Sequence, residues 1–325
     1  MLNETFYLDG IDAWSAGIRL QAPIEFSEAV PVVEAQTIPG RNGDLIWETG
    51  SYENRSGSAS CFCLQKDVEK AISSAGRFLM GKKGYRRLET SDDPDHYWMA
   101  RVENSPQIAM RLRTLAPFDI GFDCKPQRFV KSGENAVVFT SNGSLFNQYG
   151  QIALPFITVY YKGDCSLTVG DCTVKLKGKW YDEATLNAEL QKYGVSISRL
   201  KSNLYSVGVT EQEFWTALDD CSANGERFAE NIWEATYKEA TDDEISAAFV
   251  LTNAQYQSAF DAVVAGDWSN VIYLDGDTQN AYNEYGNQNL NINAPVFPVL
   301  GDGEIPIAFS GGIERVEIIP RWWEL

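Results

Sequence analysis

A strand pattern runs through Phe156-Ile157-Thr158-Val159-Tyr160-Tyr161-Lys162-Gly163-Asp164-Cys165-Ser166-Leu167-Thr168-Val169-Gly170-Asp171-Cys172-Thr173-Val174-Lys175-Leu176. Apolar residues alternate here with polar ones, as Ile157 and Val159 do, which is the period of a strand with one buried face. We expect turns where glycine–aspartate pairs interrupt the alternation, at Gly163-Asp164 and Gly170-Asp171. The stretch therefore predicts short strands of an antiparallel sheet.

The same alternation returns towards the C-terminal end of the chain. The alternating pairs are Ile272 with Leu274, Ile305 with Ile307, and Val316 with Ile318. Short alternating strands separated by turns are typical of a β-sandwich. We therefore predict one sandwich domain made of residues 136–178 and 271–325.

Residues 179–270, between the two parts of the predicted sandwich, have a helical pattern. Leu186, Leu190 and Tyr193 lie three or four positions apart, as on one face of a helix. Further helical stripes are Phe214, Leu218 and Cys221; Phe228, Ile232 and Thr236 with Ala229 and Trp233 beside them; and Tyr256, Ala259, Phe260, Val263 and Val264. Strands, then helices, then strands of the same kind predict an inserted α-helical domain.

The insert has two further properties that follow from its sequence. Because Gly178 and Asn270 flank what is otherwise one turn between two strands, the ends of the insert should lie close together. The insert also contains 16 Asp or Glu and 6 Lys or Arg, which is a net charge of −10 out of the chain's −18. The acidic excess is therefore expected mostly on the insert's outer face.

Residues 1–135 are predicted to form an N-terminal β domain with one helix. Pro39-Gly40 and Asn42-Gly43 are turn signals, and the second is a strong hairpin dipeptide. From Lys66 to Met80 apolar residues fall at helical spacing, and Gly81 follows as a stop signal. The predicted fold class is thus mainly β, with a helical insert that interrupts the sandwich.

Charge and composition disfavour several functions. The net charge of −18 argues against non-specific binding to nucleic acid or to an anionic membrane, since both require clustered Lys and Arg. We expect a soluble protein without a signal peptide, because no basic stretch precedes an apolar one and no run approaches the ~20 apolar residues of a membrane span. Six cysteines without a Cys-x-x-Cys pair, and His96 as the only histidine, favour free thiols in a reducing cytoplasm over a zinc site.

One segment of the insert resembles a helix-turn-helix. It runs from Asn187 to Leu200, with Tyr193-Gly194-Val195 as the turn. A DNA reader needs basic residues on the second helix and its flanks, and here Arg199 and Lys201 are the only two nearby. We therefore interpret the segment as a compact helical corner.

Two acidic stretches resemble metal loops. Asp92-Asp93-Pro94-Asp95-His96 offers too few oxygen ligands for calcium, and its proline breaks the run into a turn. Leu274-Asp275-Gly276-Asp277-Thr278 lacks the later ligands of an EF-hand loop. Both are predicted to be turns, and we predict no metal and no cofactor.

No arrangement for catalysis stands out in the sequence. Histidine-dependent nucleophilic catalysis would have to use His96, which has no nucleophile motif near it, and a Gly-rich phosphate loop is missing. Nine tryptophans and fifteen tyrosines suit sugar binding. However, aromatic residues in strand-like segments more often fill cores or interfaces, and such segments contain Trp14, Trp47, Trp98, Trp322 and Trp323. We predict that the chain is not an enzyme. A carbohydrate-binding module acting through the sandwich or the insert, and a glycosidase using paired carboxylates, stay open as alternatives.

Five segments, in their order and separation, resemble the distal tail protein (Dit) family of long-tailed, siphovirus-type bacteriophages. They are Ile38-Pro39-Gly40-Arg41-Asn42-Gly43-Asp44-Leu45, Asp92-Asp93-Pro94-Asp95-His96-Tyr97-Trp98, Phe122-Asp123-Cys124-Lys125-Pro126, Leu154-Pro155-Phe156-Ile157-Thr158-Val159, and Ile313-Glu314-Arg315-Val316-Glu317-Ile318-Ile319-Pro320-Arg321-Trp322-Trp323. The resemblance covers about residues 1–178 and 271–325 and omits the insert. It implies a ring-forming N-terminal β domain and a galectin-like C-terminal sandwich.

The resemblance also implies a function: a virion structural protein that forms a six-fold hub ring at the distal tail. The implied partners are the tail-tube protein, the tail-tip machinery and, through the insert, a receptor-binding protein or the host surface. Genome DNA would pass through without specific binding, and assembly would occur in the host cytoplasm. Candidate interface residues are Arg41, Asn42, Asp92, Asp93, Trp98, Arg321 and Trp322.

Overall fold

A computed structural model of the protein describes residues 4–64, 68–103, 115–219, 248 and 251–325. By its internal contacts the chain divides into two units. The first unit comprises Met1–Asn135, Tyr149–Ala153 and Arg321–Leu325, and the second comprises Ala136–Gln148 and Leu154–Pro320. No helix in the described part of the chain has the length and apolarity that crossing a membrane requires.

The first unit is an antiparallel sheet with one helix against it. Its elements are β1 (Phe6–Leu8), β2 (Ile11–Asp12), β3 (Ile18–Leu20), β4 (Glu25–Phe26), β5 (Pro31–Gln36), β6 (Leu45–Tyr52), β7 (Arg55–Leu64), α1 (Val68–Met80), β8 (Arg86–Thr90), β9 (His96–Val102) and β10 (Leu115–Val130). The sheet order is β2-β1-β8-β9-β10-β7-β3, and β4 pairs with β7. β5 and β6 pair with each other in a separate two-stranded sheet, and we call residues 31–52 the arm.

Helix α1 forms because one face of its sequence is apolar. Ala71, Ala75 and Leu79 are buried in one cluster with Phe6 and Phe122 of the sheet. The predicted helix began at Lys66, which lies outside the described residues, while its predicted end at Met80 is confirmed. Burying small alanines lets the helix approach the strands closely, which fixes the core of this unit.

The second unit is a sheet built around two long strands, with helices inserted between its parts. Its strands are β11 (Val137–Phe139), β12 (Gly143–Asn147), β13 (Phe156–Val169), β14 (Cys172–Leu176), β15 (Asn270–Asp275), β16 (Asn280–Asn283), β17 (Gly286–Asn287), β18 (Ile292–Asn293) and β19 (Gly303–Ile319). The order is β11-β19-β13-β15-β16-β17, with β12 on β19, β14 on β13 and β18 on β14. The predicted fold class, mainly β with a helical insert, is confirmed.

Gly163-Asp164 is not a turn, and that prediction was wrong. The pair lies inside β13, where the register against β19 shifts between Tyr161 and Cys165. Gly163 has φ +62°, and its N–H donates to the carbonyl oxygen of Lys179 at 2.9 Å. Between these two pairs β13 has three residues and β19 has one, so β13 accommodates two extra residues. Such a bulge bends the strand instead of ending it. The other predicted turn, Gly170-Asp171, does join β13 to β14.

The helices of the second unit share one apolar core. They are α2 (Glu183–Gln191), α3 (Ile197–Ser206), α4 (Glu211–Asp219) and α5 (Asn253–Val264). Buried side chains in this core are Leu186, Leu190, Ile197, Leu200, Leu204, Phe214, Leu218, Tyr256, Ala259, Phe260 and Val263. Cys221 and the predicted stripe of Phe228, Ala229, Ile232, Trp233 and Thr236 lie outside the described residues. The boundaries of a separate helical domain stay a prediction.

The predicted caps of these helices are present. Ser196 begins α3, because its hydroxyl accepts a hydrogen bond from the N–H of Arg199 at 3.2 Å. Thr210 and Glu213 form the capping box of α4, in which the carboxylate of Glu213 accepts from the N–H of Thr210 at 2.8 Å. Each such cap stabilises its helix by about 1 kcal/mol.

The two ends of the helical segment meet, as predicted. The side-chain amide of Asn270 donates to the carbonyl oxygens of Lys179 and Tyr161 at 2.9 and 3.1 Å. Lys162, on the bulge of β13, is only 8% exposed. Its ammonium donates to the carbonyl oxygens of Val264 and Gly266 at the end of α5, at 3.1 and 2.7 Å. A cation is favoured at this negative end of a helix, so Lys162 fixes α5 to the sheet.

We expect Gly163→Ala to destabilise the second unit strongly. A Cβ at this position would lie 2.0 Å from the Trp180 ring, and the positive φ disfavours any other residue. The free energy of unfolding should fall by about 3–5 kcal/mol, from overpacking and backbone strain together. Urea unfolding followed by circular dichroism measures this change.

Gly170→Ala is the matched control. Gly170 has a similar φ of +57°, but the nearest atom to its Cβ would be 3.6 Å away. In this variant the free energy of unfolding should fall only by the cost of the positive φ, about 1–2 kcal/mol. Equal losses in the two variants would contradict the close approach of Trp180 to the bulge.

Candidate functional site

The C-terminal residues form a clasp on the first unit. Strand β20 (Trp323–Glu324) pairs antiparallel with β10, with Glu324 opposite Arg128. The N–H of Val130 donates to the carbonyl oxygen of Trp322 at 2.9 Å, and the N–H of Arg321 donates to that of Gly133 at 2.8 Å. We call residues 321–325 the C-terminal clasp. Its backbone pairing ties the chain's last residues to β10 and to the turn that follows.

Trp322 anchors the clasp. Its side chain is 8% exposed and lies against Gly133. A Cβ on Gly133 would come within 2.4 Å of the backbone nitrogen of Trp322. The ring of Tyr149 lies 6.3 Å away, between centroids. The preceding residue, Arg321, has φ +57°, a conformation that a non-glycine residue adopts at some cost. Burial of the Trp322 indole compensates for this unfavourable backbone conformation of Arg321.

Four polar side chains connect the clasp to the sheet. The guanidinium of Arg128 donates to Asp93 at 3.0 Å and to Glu324 at 2.8 Å. His96 lies between the same two carboxylates, with its Nδ1 2.7 Å from Asp93 and its Nε2 3.4 Å from Glu324. Burial by itself opposes ionisation of Asp93, but hydrogen bonds from His96 and Arg128 outweigh it and hold the pKa of this carboxyl below its usual value. The acidic turn before β9 therefore serves as a structural ion-pair site.

Trp98 lies in the interior of the same unit. It is 5% exposed, and its ring stacks on Phe26 at a centroid distance of 4.3 Å. The guanidinium carbon of Arg128 lies 5.7 Å from the ring centroid. Its indole N–H finds no hydrogen-bond partner among the described residues. In this unit Trp98 therefore acts as a core residue that supports Arg128.

The structure brings some of the seven candidate residues together and leaves others apart. Asp93, Trp98, Arg321 and Trp322 gather around the clasp and β10. Asp92 is exposed in the turn before β9, and Arg41 and Asn42 are exposed in the loop of the arm. An interface role for these residues stays a prediction.

The arm carries a set of protruding apolar side chains that the sequence pattern did not single out as a group. Its exposed members are Val33 (49%), Ile38 (37%), Leu45 (42%), Ile46 (63%) and Trp47 (71%). An isolated two-stranded hairpin is marginally stable in water, and exposed apolar clusters mark interaction sites. The sequence signal was present in Ile38, Leu45 and Trp47 around the turn, but their exposure is visible only in the fold.

Groups capable of nucleophilic chemistry are placed unfavourably for it. Burial raises the pKa of the Cys61, Cys124 and Cys165 thiols to about 12. Such thiols stay protonated at neutral pH and are poor nucleophiles and poor metal ligands. No cluster of three or more His, Cys, Asp or Glu side chains suited to a metal ion occurs within the described ranges. In the described part of the chain these three thiols are therefore core residues of their units.

The helix-turn-helix segment and the second acidic turn also have structural roles. Lys201 pairs with Glu211 at 2.8 Å, which neutralises one of the two basic residues of α3. The carboxylate of Asp275 accepts hydrogen bonds from the N–H of Asp277 and the hydroxyl of Thr278, at 3.3 and 2.9 Å. These bonds close the tight turn between β15 and β16 that the sequence predicts.

Comparisons with known proteins give a structural similarity only. No protein-family model and no curated protein sequence matches the chain. Its fold is similar to the crystal structure of the Dit protein (gp 19.1) of phage SPP1, described as a paradigm of the hub adsorption apparatus in phages that infect Gram-positive bacteria. The match covers 97% of this chain and 98% of that one, with a TM-score of 0.55 and 11% identity. The chain therefore has a Dit-like β-sandwich fold.

We expect Asp93→Asn to weaken the clasp and to change its response to acid. Because the folded-state pKa of Asp93 is lowered, its ion pairs stabilise the fold above the ordinary aspartate pKa of about 3.9, and that contribution is lost as the pH falls through the folded value. The variant should lose about 2 kcal/mol of unfolding free energy near pH 7. Near pH 3 its deficit relative to the wild type should shrink. Urea unfolding at both pH values measures the two differences.

Asp92→Asn is the control for this prediction. Asp92 is the exposed neighbour in the same turn, so its substitution should change stability by less than about 0.5 kcal/mol at either pH. A deficit of Asp93→Asn that is the same at both pH values would contradict the ion-pair explanation.

Proposed function

We propose that this chain is a virion structural protein of a bacteriophage: a six-fold hub ring at the distal end of the tail that connects the tail tube to the tip. The observation that carries the proposal is the similarity in fold to the SPP1 hub protein over almost the whole of both chains. The ordered sequence segments that resemble the Dit family support it independently.

The arm supports self-association. Its apolar side chains protrude from a two-stranded sheet that pairs with no further strand among the described residues. In a cyclic assembly each copy offers one surface to the next copy's different surface, and the contacts close into a ring. Covering the arm in this way removes both the exposed apolar area and the free strand edges. Arg41 and Asn42, in the arm's loop, then lie at the contact between copies.

The other proposed partners follow from the position of such a ring between the tail tube and the tail tip. One face contacts the tail-tube protein and the other contacts the tail-tip machinery, and the helical segment faces a receptor-binding protein or the host surface. The ring assembles in the host cytoplasm and ends up in the virion. It needs no cofactor and catalyses no reaction, and the raised pKa values of its buried thiols are in keeping with this.

The arm can be tested by the double substitution I46S/W47S. Both side chains are more than 60% exposed, at 63% and 71%, so the folded chain should keep its thermal unfolding midpoint. We expect the ring to dissociate at protein concentrations at least tenfold higher than for the wild type. Native mass spectrometry over a concentration series measures this shift.

F146S/L290S is the control, because it removes a similar apolar area from the second unit, where these side chains are 67% and 95% exposed. It should assemble as the wild type does. Unchanged assembly of I46S/W47S, or equal loss in the control, would show that the arm does not carry the contact.

We further propose that acidic side chains line the ring's pore, so that DNA passes without sticking. The net charge of −18 motivates this idea, since like charges repel the phosphate backbone. Phages whose lumen Asp and Glu residues are changed to Lys should eject DNA more slowly in a fluorescence ejection assay. Ejection at the wild-type rate would refute it.

A further inference from the structure

One surface of the second unit carries partly exposed tyrosines on neighbouring strands. Register places Thr158 of β13 opposite Tyr273 of β15 and opposite Glu317 of β19. Ile157 and Val159, on the other side of β13, are 1% and 0% exposed and fill the core. Because side chains alternate along a strand, Thr158 and its lateral neighbours point outward. We call this outward set the tyrosine face. Its members are Thr158, Tyr160, Tyr273, Tyr282, Arg315 and Glu317.

The tyrosine face combines ring surfaces with polar groups. Tyr273 lies opposite Tyr282 with ring centroids 5.4 Å apart. The guanidinium carbon of Arg315 lies 4.0 Å from the centroid of the Tyr160 ring. The same guanidinium is 3.2 Å from a carboxylate oxygen of Glu317. Donors and acceptors are therefore held beside aromatic surfaces by contacts already made in the free protein.

Thr158 provides an independent sign of a ligand. It is 7% exposed, yet its hydroxyl makes no hydrogen bond within the described part of the chain. That oxygen is not among the fully enclosed unpaired atoms of the described residues, so part of it remains accessible to solvent. An unpaired and largely buried hydroxyl is unfavourable. A bound molecule with a hydroxyl group would satisfy it.

We propose that the tyrosine face binds a neutral oligosaccharide. One side of a pyranose ring presents C–H groups, which pack against the negative faces of aromatic rings. Its hydroxyl groups donate and accept in turn, as required by Thr158, Arg315 and Glu317 placed around the rings. Binding sites for small molecules share this composition of apolar surface with a few fixed polar groups.

The exposure of the side chains favours a sugar over a protein partner on this face. Protein interfaces are anchored by large side chains that protrude into pockets of the partner. The large, strongly exposed side chains of this protein lie on other surfaces, for example on the arm. All three tyrosines of the tyrosine face are only partly exposed. Partly exposed rings of this kind suit a ligand that packs against them from the side of the sheet.

The charges favour a neutral sugar over an acidic one. Arg315 and Glu317 compensate each other, so the face has no excess positive charge. The chain as a whole carries −18, and its acidic helical segment belongs to the same unit. An anionic polysaccharide would be repelled by this field.

The test uses the full-length chain on a printed array of neutral hexose and N-acetylhexosamine oligosaccharides, followed by calorimetry on the best binder. We expect the wild type to bind at least one neutral structure and to ignore polygalacturonate, an acidic probe. Tyr273→Ala and Arg315→Ala should each bind at least tenfold more weakly. Tyr273→Phe keeps the ring and should bind within threefold of the wild type.

Tyr285→Ala is the control, because this tyrosine is 86% exposed at the turn between β16 and β17 and lies off the face. It should bind as the wild type does, and thermal unfolding should show that all variants are folded. Binding to no neutral probe, or equal binding by Tyr273→Ala and wild type, would overturn the proposal. A changed oligomeric state of Tyr273→Ala in native mass spectrometry would also overturn it, since the face would then be a contact between copies.

Discussion

The second unit depends on the pairing of β13 with β19. β11 and β12 attach to β19, while β14 and β15 attach to β13, so these two strands hold the sheet together. At their shared bulge a Cβ on Gly312 would lie 1.8 Å from the carbonyl oxygen of Lys162, an approach that only glycine allows. The bend places Lys162 under the end of α5. The position of α5 on the sheet therefore depends on the close backbone contact between β13 and β19.

The surfaces of the molecule differ in physical character, and the proposed roles follow from that difference. The arm exposes large apolar side chains, which favour burial against another protein chain. The tyrosine face places partly exposed rings beside compensated charges, which suits a polar ligand with an apolar side. The C-terminal clasp uses its charges internally, between Asp93, Arg128 and Glu324.

Local sequence signals predicted the elements that local physics determines. The alternation from Phe156 and the caps at Ser196 and Thr210 each identify an element correctly, because strand period and end-group hydrogen bonding act within a few residues. Gly163-Asp164 was misread for the same reason. A Gly-Asp pair signals a turn locally, and only the opposing strand, with its own glycines, turns this one into a bulge.

Contacts between distant residues could not be predicted in this way. Arg128 and Glu324 are far apart in the chain, and nothing in either neighbourhood indicates the other. Trp98 and Trp322 read as interface candidates from sequence, yet both are buried in their own unit. The tyrosine face could not be predicted from the sequence either, because its members come from β13, β15, β16 and β19. Register, which tertiary packing sets, brings them to one side.

The proposed role of this chain requires that it closes into a ring, and it requires no catalytic activity. Electron microscopy of the purified protein at high concentration is the test of this role. We predict class averages with six-fold symmetry and a central pore. Monomers that stay single at every concentration, while they cleave a glycan or an ester, would rule this role out.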